Sequence, residues 1–306
     1  MGCSVTKVDI HLDRPGIDYR PNDTVSGQCL VYTDSPISLS ELSVKLKGEA
    51  RCEWSEDRQI SDGQDSDGQP ITRTETVYYT ANYLCVKLKY YPGNVNPSTL
   101  SPGQHNIGFS FLLPAGGLPS TFKGQYGYIG YWIEARIRNP DCCGSDGRSR
   151  VPIVVNSPAL SSIQELSQPV VNSNQKTVGL INGKPLFMKC QIDSTGHTIG
   201  TNISIHCFID NQSDKPMTLK AQLRQDVTYY ATGDQRKSSE KLARYVGPTI
   251  GPRQLTTETM NLLVPVTAPV VHNTCPIIHV KYLIVLTLWI PGSFDLHCKL
   301  PVILTQ

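Results

Sequence analysis

The sequence predicts an all-β chain folded as two antiparallel β-sandwich domains in tandem. Three observations predict it. Stretches of period-2 alternation recur along the whole chain, separated by Gly-, Pro-, Asn- and Asp-rich turns. Helical periodicity is nearly absent, and residues 161–166 could form a short turn at most. One order of elements occurs twice: a strand, a turn, a strand centred on a cysteine, a Pro turn and another strand.

In the first half the alternation places strands at 5–12, 24–32, 41–48, 83–90, 105–113 and 131–137. In the last of these Ile133, Ala135 and Ile137 alternate with Glu134, Arg136 and Arg138, as a half-buried strand should. It is entered through Gly124, Gly127 and Gly130, set among Tyr126, Tyr128, Tyr131 and Trp132. Glycines there permit a positive φ or a close backbone approach beside bulky rings. The second half places strands at 187–192, 202–210, 218–229, 256–264, 278–289 and 296–304. The repeat aligns the strand around Cys29, followed by Asp34-Ser-Pro36 and 42–46, with the strand around Cys207, followed by Asp214-Lys-Pro216 and 219–223. The boundary falls in a polar Ser/Gln/Asn/Pro stretch without strand period. This gives a first domain at 1–157, a linker at 158–176 and a second domain at 177–306.

Composition narrows the function. The chain has 306 residues, enough for two domains, and 39% are hydrophobic. A net charge of +2 lacks the basic excess of a nucleic-acid binder. The longest apolar run, 282–290, falls far short of a membrane helix. Lys7, Asp9, His11 and Asp13 break up any apolar leader. A cytoplasmic chain follows, with its ten cysteines mostly free thiols and the sequons at Asn22, Asn202 and Asn211 unused. Cys142-Cys143 is the one close cysteine pair, and no Cys-x-x-Cys occurs.

No catalytic constellation is present. Gly-x-Ser-x-Gly, His-Glu-x-x-His and a phosphate-cradling Gly-rich loop are all missing. The acidic stretch 62–68 resembles a calcium loop only superficially. Counted from position 63, it sets Gly63 and Thr74 where carboxylates must stand, so it reads as a solvated hairpin tip. The expectation is a binding scaffold rather than an enzyme, without cofactor or metal.

Two features point to a membrane surface. Met1-Gly2-Cys3-Ser4-Val5-Thr6 fits the N-myristoylation pattern, with Gly2 as the acceptor and Cys3 placed for palmitoylation. One acyl chain binds marginally, whereas two anchor. The tetrapeptide Val-Lys-Leu-Lys occurs twice, and alternation puts Lys45 with Lys47, and Lys87 with Lys89, on the solvent faces of their strands. If those strands are neighbours, the four ammonium groups form a stripe suited to phosphate or anionic lipid. Ordinary solvated strand faces and edge protection explain the same residues.

The residues from Leu118-Pro119 through Phe122-Lys-Gly124, Tyr126-Gly127 and Tyr131-Trp132 to Ala135 resemble the motif that closes the N-terminal domain of alpha-arrestins. Val264-Pro, Ile277-Ile278, Tyr282, Ile290-Pro-Gly292 and Leu300-Pro-Val302 resemble the last two strands of their C-terminal domain. The resemblance spans nearly the whole chain and implies the arrestin fold, two tandem immunoglobulin-like sandwiches. It implies an adaptor that binds cytosolic segments of membrane receptors or transporters and influences their endocytic sorting, at plasma membrane and endosomes. β-augmentation or groove binding would be its mechanism. The departures are specific. No Pro-Pro-x-Tyr occurs, so direct binding to the WW domains of ubiquitin ligases is not expected. The strand expected at 151–155 has no Arg for a phosphate-triggered charged core. Residues 246–253 lack the second-domain cysteine through which one family member pairs with thioredoxin. A retromer-like coat subunit and a thiol-dependent redox regulator acting through Cys142-Cys143 are the rival readings.

Overall fold

The computed structural model describes residues 7–39, 41–64, 69–90, 99–138, 147–158, 162–179, 183–272 and 275–306. The chain divides into two compact units. The first comprises Met1–Ser157 with Tyr229–Arg236 and Asn273–Ile278; the second comprises Pro158–Thr228, Lys237–His272 and His279–Gln306.

The strands of the first unit are β1 (Val8–Leu12), β2 (Thr24–Thr33), β3 (Glu41–Gln64), β4 (Pro70–Tyr90), β5 (Gly103–Leu112), β6 (Phe122–Lys123), β7 (Gly127–Arg138) and β8 (Gly147–Ile153). They form a sheet of order β1-β2-β5 and a sheet of order β4-β3-β7-β6, in which β8 also pairs with β7. Alternation builds the core between them. Val44, Leu46, Ala50 and Cys52 of β3 and Val25, Cys29 and Val31 of β2 are fully buried. Each aliphatic side chain so enclosed stabilises the unit by about 1.5–3 kcal/mol.

β3 and β4 outrun the expected strands. β7 pairs β3 only as far as Cys52, yet β3 and β4 continue together as a two-stranded ribbon toward 64 and 70. Beyond Trp54 that ribbon loses apolar alternation, because it has no sheet to cover. The acidic tip at 65–68 lies outside the described residues.

The motif at 118–131 is a latch. Tyr131 Oη, buried, donates to the Pro119 carbonyl at 2.6 Å. Ser120 Oγ accepts from the Ser157 amide at 3.0 Å, and Ser157 Oγ donates to the Leu118 carbonyl. None of Gly124, Gly127 and Gly130 is among the positive-φ residues; Gly124 and Gly127 serve by close approach, while a Cβ on Gly130 would meet only ordinary contacts. A Cβ on Gly127 would lie 2.4 Å from the Arg51 carbonyl oxygen of the neighbouring strand.

After a one-turn helix, α1 (Ile163–Leu166), the chain forms β9 (Val170–Val178), β10 (Lys184–Ile192), β11 (Gly196–Thr198), β12 (Asn202–Asn211), β13 (Met217–Ala231), β14 (Asp234–Ile250), β15 (Gln254–Leu263), β16 (Ile278–Trp289) and β17 (Leu296–Thr305). The sheets are β15-β12-β10-β9 and β11-β17-β16-β13-β14. The segment expected to be a linker without strand character therefore contains most of β9. Its alternation is hidden because both faces are polar. Asn172 and Asn174 donate to the carbonyls of Lys299 and His297, both at 2.9 Å, and Lys176 reaches the Phe294 carbonyl.

The repeat is real at the level of topology. β10-β12-β15 repeats β1-β2-β5, and β14-β13-β16-β17 repeats β4-β3-β7-β8. Cys29 and Cys207 occupy matching strands, and both are fully buried. The latch recurs too, with Tyr282 Oη donating to the Pro269 carbonyl.

Candidate functional site

The outer face of the β4-β3-β7-β8 sheet concentrates charge. Its register sets Lys89, Lys45, Glu134 and Arg150 in one row across four strands. The next row is Lys87, Lys47, Trp132 and Pro152, and a third brings Ser43, Arg136 and Arg148 together. The two Val-Lys-Leu-Lys stretches are thus direct neighbours. The resemblance between them reflects cross-strand pairing, Lys45 opposite Lys89 and Lys47 opposite Lys87.

The lysines of β3 are less solvated than alternation suggests, whereas Lys87 and Lys89 of β4 are exposed. The Lys45 side chain is 14% exposed and lies 3.7 Å from Glu41, which Lys89 also approaches at 3.4 Å. A hydrogen bond from Ser43, then those two lysines, holds the Glu41 carboxyl below its ordinary value against burial. Glu134 is buried and bonded by Arg148 at 2.6 Å and Lys47 at 3.2 Å. Burial pushes its carboxyl up, but these hydrogen bonds outweigh burial and its pKa is lowered. Pairing of a buried carboxylate is what prevents it from neutralising.

The last strand of this unit begins earlier than the expected 151–155 and does carry arginines, Arg148 and Arg150, on the charged face. Their i, i+2 spacing, with Glu134-Ala-Arg136 opposite, is the signal by which the sequence could have revealed them. The Arg150 guanidinium lies over the Trp132 ring, 3.5 Å from its centre. Trp132 is buried, and its Nε1–H has no hydrogen-bond partner among the described residues. Such an orphaned donor costs about 1–3 kcal/mol until it is matched.

A cavity of about 470 Å³ opens at the glycine-rich turn, lined by Arg51, Glu53, Phe122, Tyr126, Tyr128 and Ile129 among others. Gly2 and Cys3, and the pair Cys142-Cys143, lie outside the described residues. Among the seven described cysteines six are buried and Cys85 is half-buried. Burial pushes the Cys29 thiol up to about 11 and those of Cys52 and Cys85 to about 12, leaving them unreactive at neutral pH. Among the described residues no group of three His, Cys, Asp or Glu side chains could hold a metal ion. No helix among them is long and apolar enough to cross a membrane.

Comparison with known proteins agrees with the tandem sheets. Residues 8–159 match the family "Arrestin (or S-antigen), N-terminal domain", and residues 182–306 match "Arrestin (or S-antigen), C-terminal domain". The chain belongs to the arrestin family. Mouse Arrestin domain-containing protein 4 is 29% identical over 94% of this chain and 68% of its own length. The human protein of that name is 28% identical over the same shares. Human Thioredoxin-interacting protein is 24% identical over 98% of this chain and 74% of its own length. In arrestin terms, the charged face belongs to the N-terminal domain.

Proposed function

We propose that this arrestin-family chain is a cytosolic adaptor. It binds cytosolic segments of membrane receptors or transporters and influences their sorting at plasma membrane and endosomes. The observation that carries this is the match of both arrestin domains across the chain. Acyl groups on Gly2 and Cys3 would tether it, the second chain converting marginal binding to durable binding. The face of Lys45, Lys47, Lys87 and Lys89, joined by Arg136, Arg148 and Arg150, would then meet phosphate groups or anionic lipid. One relative is named for thioredoxin; among the described residues six of seven cysteines are buried, and burial raises the thiols of Cys29, Cys52 and Cys85.

Affinity capture of the full chain from cells, read by mass spectrometry, tests the adaptor reading. Integral proteins of plasma membrane and endosomes are expected, and their absence overturns it. Gly2→Ala should move the chain from the membrane fraction to the cytosol, while Cys3→Ser should leave weak, exchanging association. Lys45→Gln with Lys89→Gln should weaken sedimentation with anionic vesicles at low salt, and barely at ~0.15 M, where exposed charges are screened within ~8 Å. Isolated WW domains should not bind.

A further inference from the structure

β4 ends its sheet, whose order is β4-β3-β7-β6, so among the described strands only β3 pairs with it. Proteins usually guard such an edge with charge, proline or bulges. Between Thr76 and Val86 β4 has no charged residue, no proline and no glycine. A bulge interrupts it only at Cys85, where the register slips between Gly48 and Glu49. The regular part of this edge is therefore open and rich in strand-forming residues.

The register fixes which side chains the edge presents. Tyr79, Ala81 and Tyr83 lie opposite Trp54, Cys52 and Ala50 on the core side. Tyr78 and Leu84 lie opposite Ser55 and Glu49 on the outer side, where they are 74% and 59% exposed. Thr80 and Asn82 stand between them on that outer side. The segment 78–84 is thus a short polar centre with an exposed apolar side chain at each end.

We propose that this edge pairs antiparallel with β4 of a second copy of the chain, about a two-fold axis at Ala81. One operation then answers every outward side chain. Tyr78 meets Leu84 of the second copy, Thr80 meets Asn82, and the reciprocal pairs follow by symmetry. Cross-strand aromatic–aliphatic pairs and hydroxyl–amide pairs are the favourable kinds. An axis at Thr80 instead would set Tyr78 against Asn82 and Leu84 against Thr76, wasting both apolar contacts. Beyond the bulge, Lys87 comes level with Thr76 of the second copy, and Thr76 donates to Asp57 at 2.7 Å, so a carboxylate stands behind it. No two like charges are opposed along the segment. The pairing stands independently of the adaptor reading. If both hold, one particle presents two charged faces and gains avidity for clustered cargo or membrane.

Light scattering of the purified 306-residue chain across a dilution series tests this. The mass should rise with concentration toward twice the 33.8 kDa of one chain. Leu84→Lys and Tyr78→Lys, at exposed positions, should each weaken self-association by about tenfold or more while the circular dichroism spectrum stays unchanged. Ala81→Cys, on the axis, should give an oxidised dimer on a non-reducing gel above the wild-type background, and Thr74→Cys should not. A monomer at every concentration overturns the proposal. So does a dimer that survives Leu84→Lys and fails to cross-link through Ala81→Cys.

Discussion

Glu134 gathers the charges of three strands. It pairs with Lys47 of β3 and Arg148 of β8, and it is almost wholly enclosed on β7. Its folded pKa lies below the ordinary 4.5. A depressed carboxyl contributes stability that is complete above the unfolded value and lost as pH falls through the folded value. Acid titration of the wild type should therefore show stability falling from about pH 4.5 downward. Glu134→Gln should flatten that part of the profile and cost about 1–3 kcal/mol at neutral pH, because Lys47 and Arg148 lose their shared acceptor. Urea denaturation at a series of pH values reads both effects. If the two profiles run parallel below pH 4.5, Glu134 does not carry the charge coupling described for it. His197 and His272 act in a higher window. Burial lowers both below 6.5, so their neutral forms support the fold above that value and stability declines as pH drops beneath it.

At the scale of the element, β9 shows what alternation cannot reveal. Its Val-Val-Asn-Ser-Asn-Gln-Lys run holds no apolar stripe, so only its pairing with β10 and its amide bonds to β17 identify it as a strand. Asn172 and Asn174 satisfy carbonyls along β17 that β11, which pairs only Ile303 to Thr305, leaves uncovered. The double variant Asn172→Ala/Asn174→Ala should cost about 1–3 kcal/mol and expose the β17 edge to pairing. Chemical denaturation measures the first, and turbidity on warming the second. An unchanged denaturation midpoint would show that water replaces both amides without loss. By contrast, β7, β10, β12 and β16 were legible because each buries a strict or near-continuous apolar set. The long ribbon of β3 and β4 was legible only up to Gly48. Beyond Trp54 its residues answer only to each other, and polar pairs such as Thr76 with Asp57 leave no hydrophobic period. Alternation places each lysine pair on one face of its strand and sets Glu41 on the same face as Lys45. The reach of Lys89 to Glu41 and of Lys47 to Glu134 comes from register, which sequence spacing does not determine.

At the scale of the molecule, the same sandwich is built twice, and the duplicated latch shows which contacts the repeat requires. Tyr131 on β7 and Tyr282 on β16 occupy matching strands, and each donates its hydroxyl to a proline carbonyl upstream, Pro119 and Pro269. Tyr282 also accepts from Gln225 Nε2 at 3.2 Å and from the Val271 amide at 3.3 Å, so it holds more partners than Tyr131. The repeat was visible in the sequence through its cysteine-centred strands and Pro turns. The latch was not, since Leu118-Pro119 and Ala268-Pro269 gain their meaning only once the tyrosine folds back on them. Burial pushes both phenols up in pKa, so both remain donors through neutral pH. Tyr131→Phe removes one donor and leaves the Pro119 carbonyl without it, a cost of about 1–3 kcal/mol. Tyr282→Phe also strands Gln225 and the Val271 amide, so it should cost more than Tyr131→Phe. Hydrogen exchange read by mass spectrometry locates the effect. Tyr131→Phe should raise exchange in β7, β8 and residues 118–121, and Tyr282→Phe in β16 and residues 268–272. If Tyr282→Phe proves the milder change, the extra hydrogen bonds around it do not set its worth, and packing of the ring rather than its hydroxyl is what the repeat has kept.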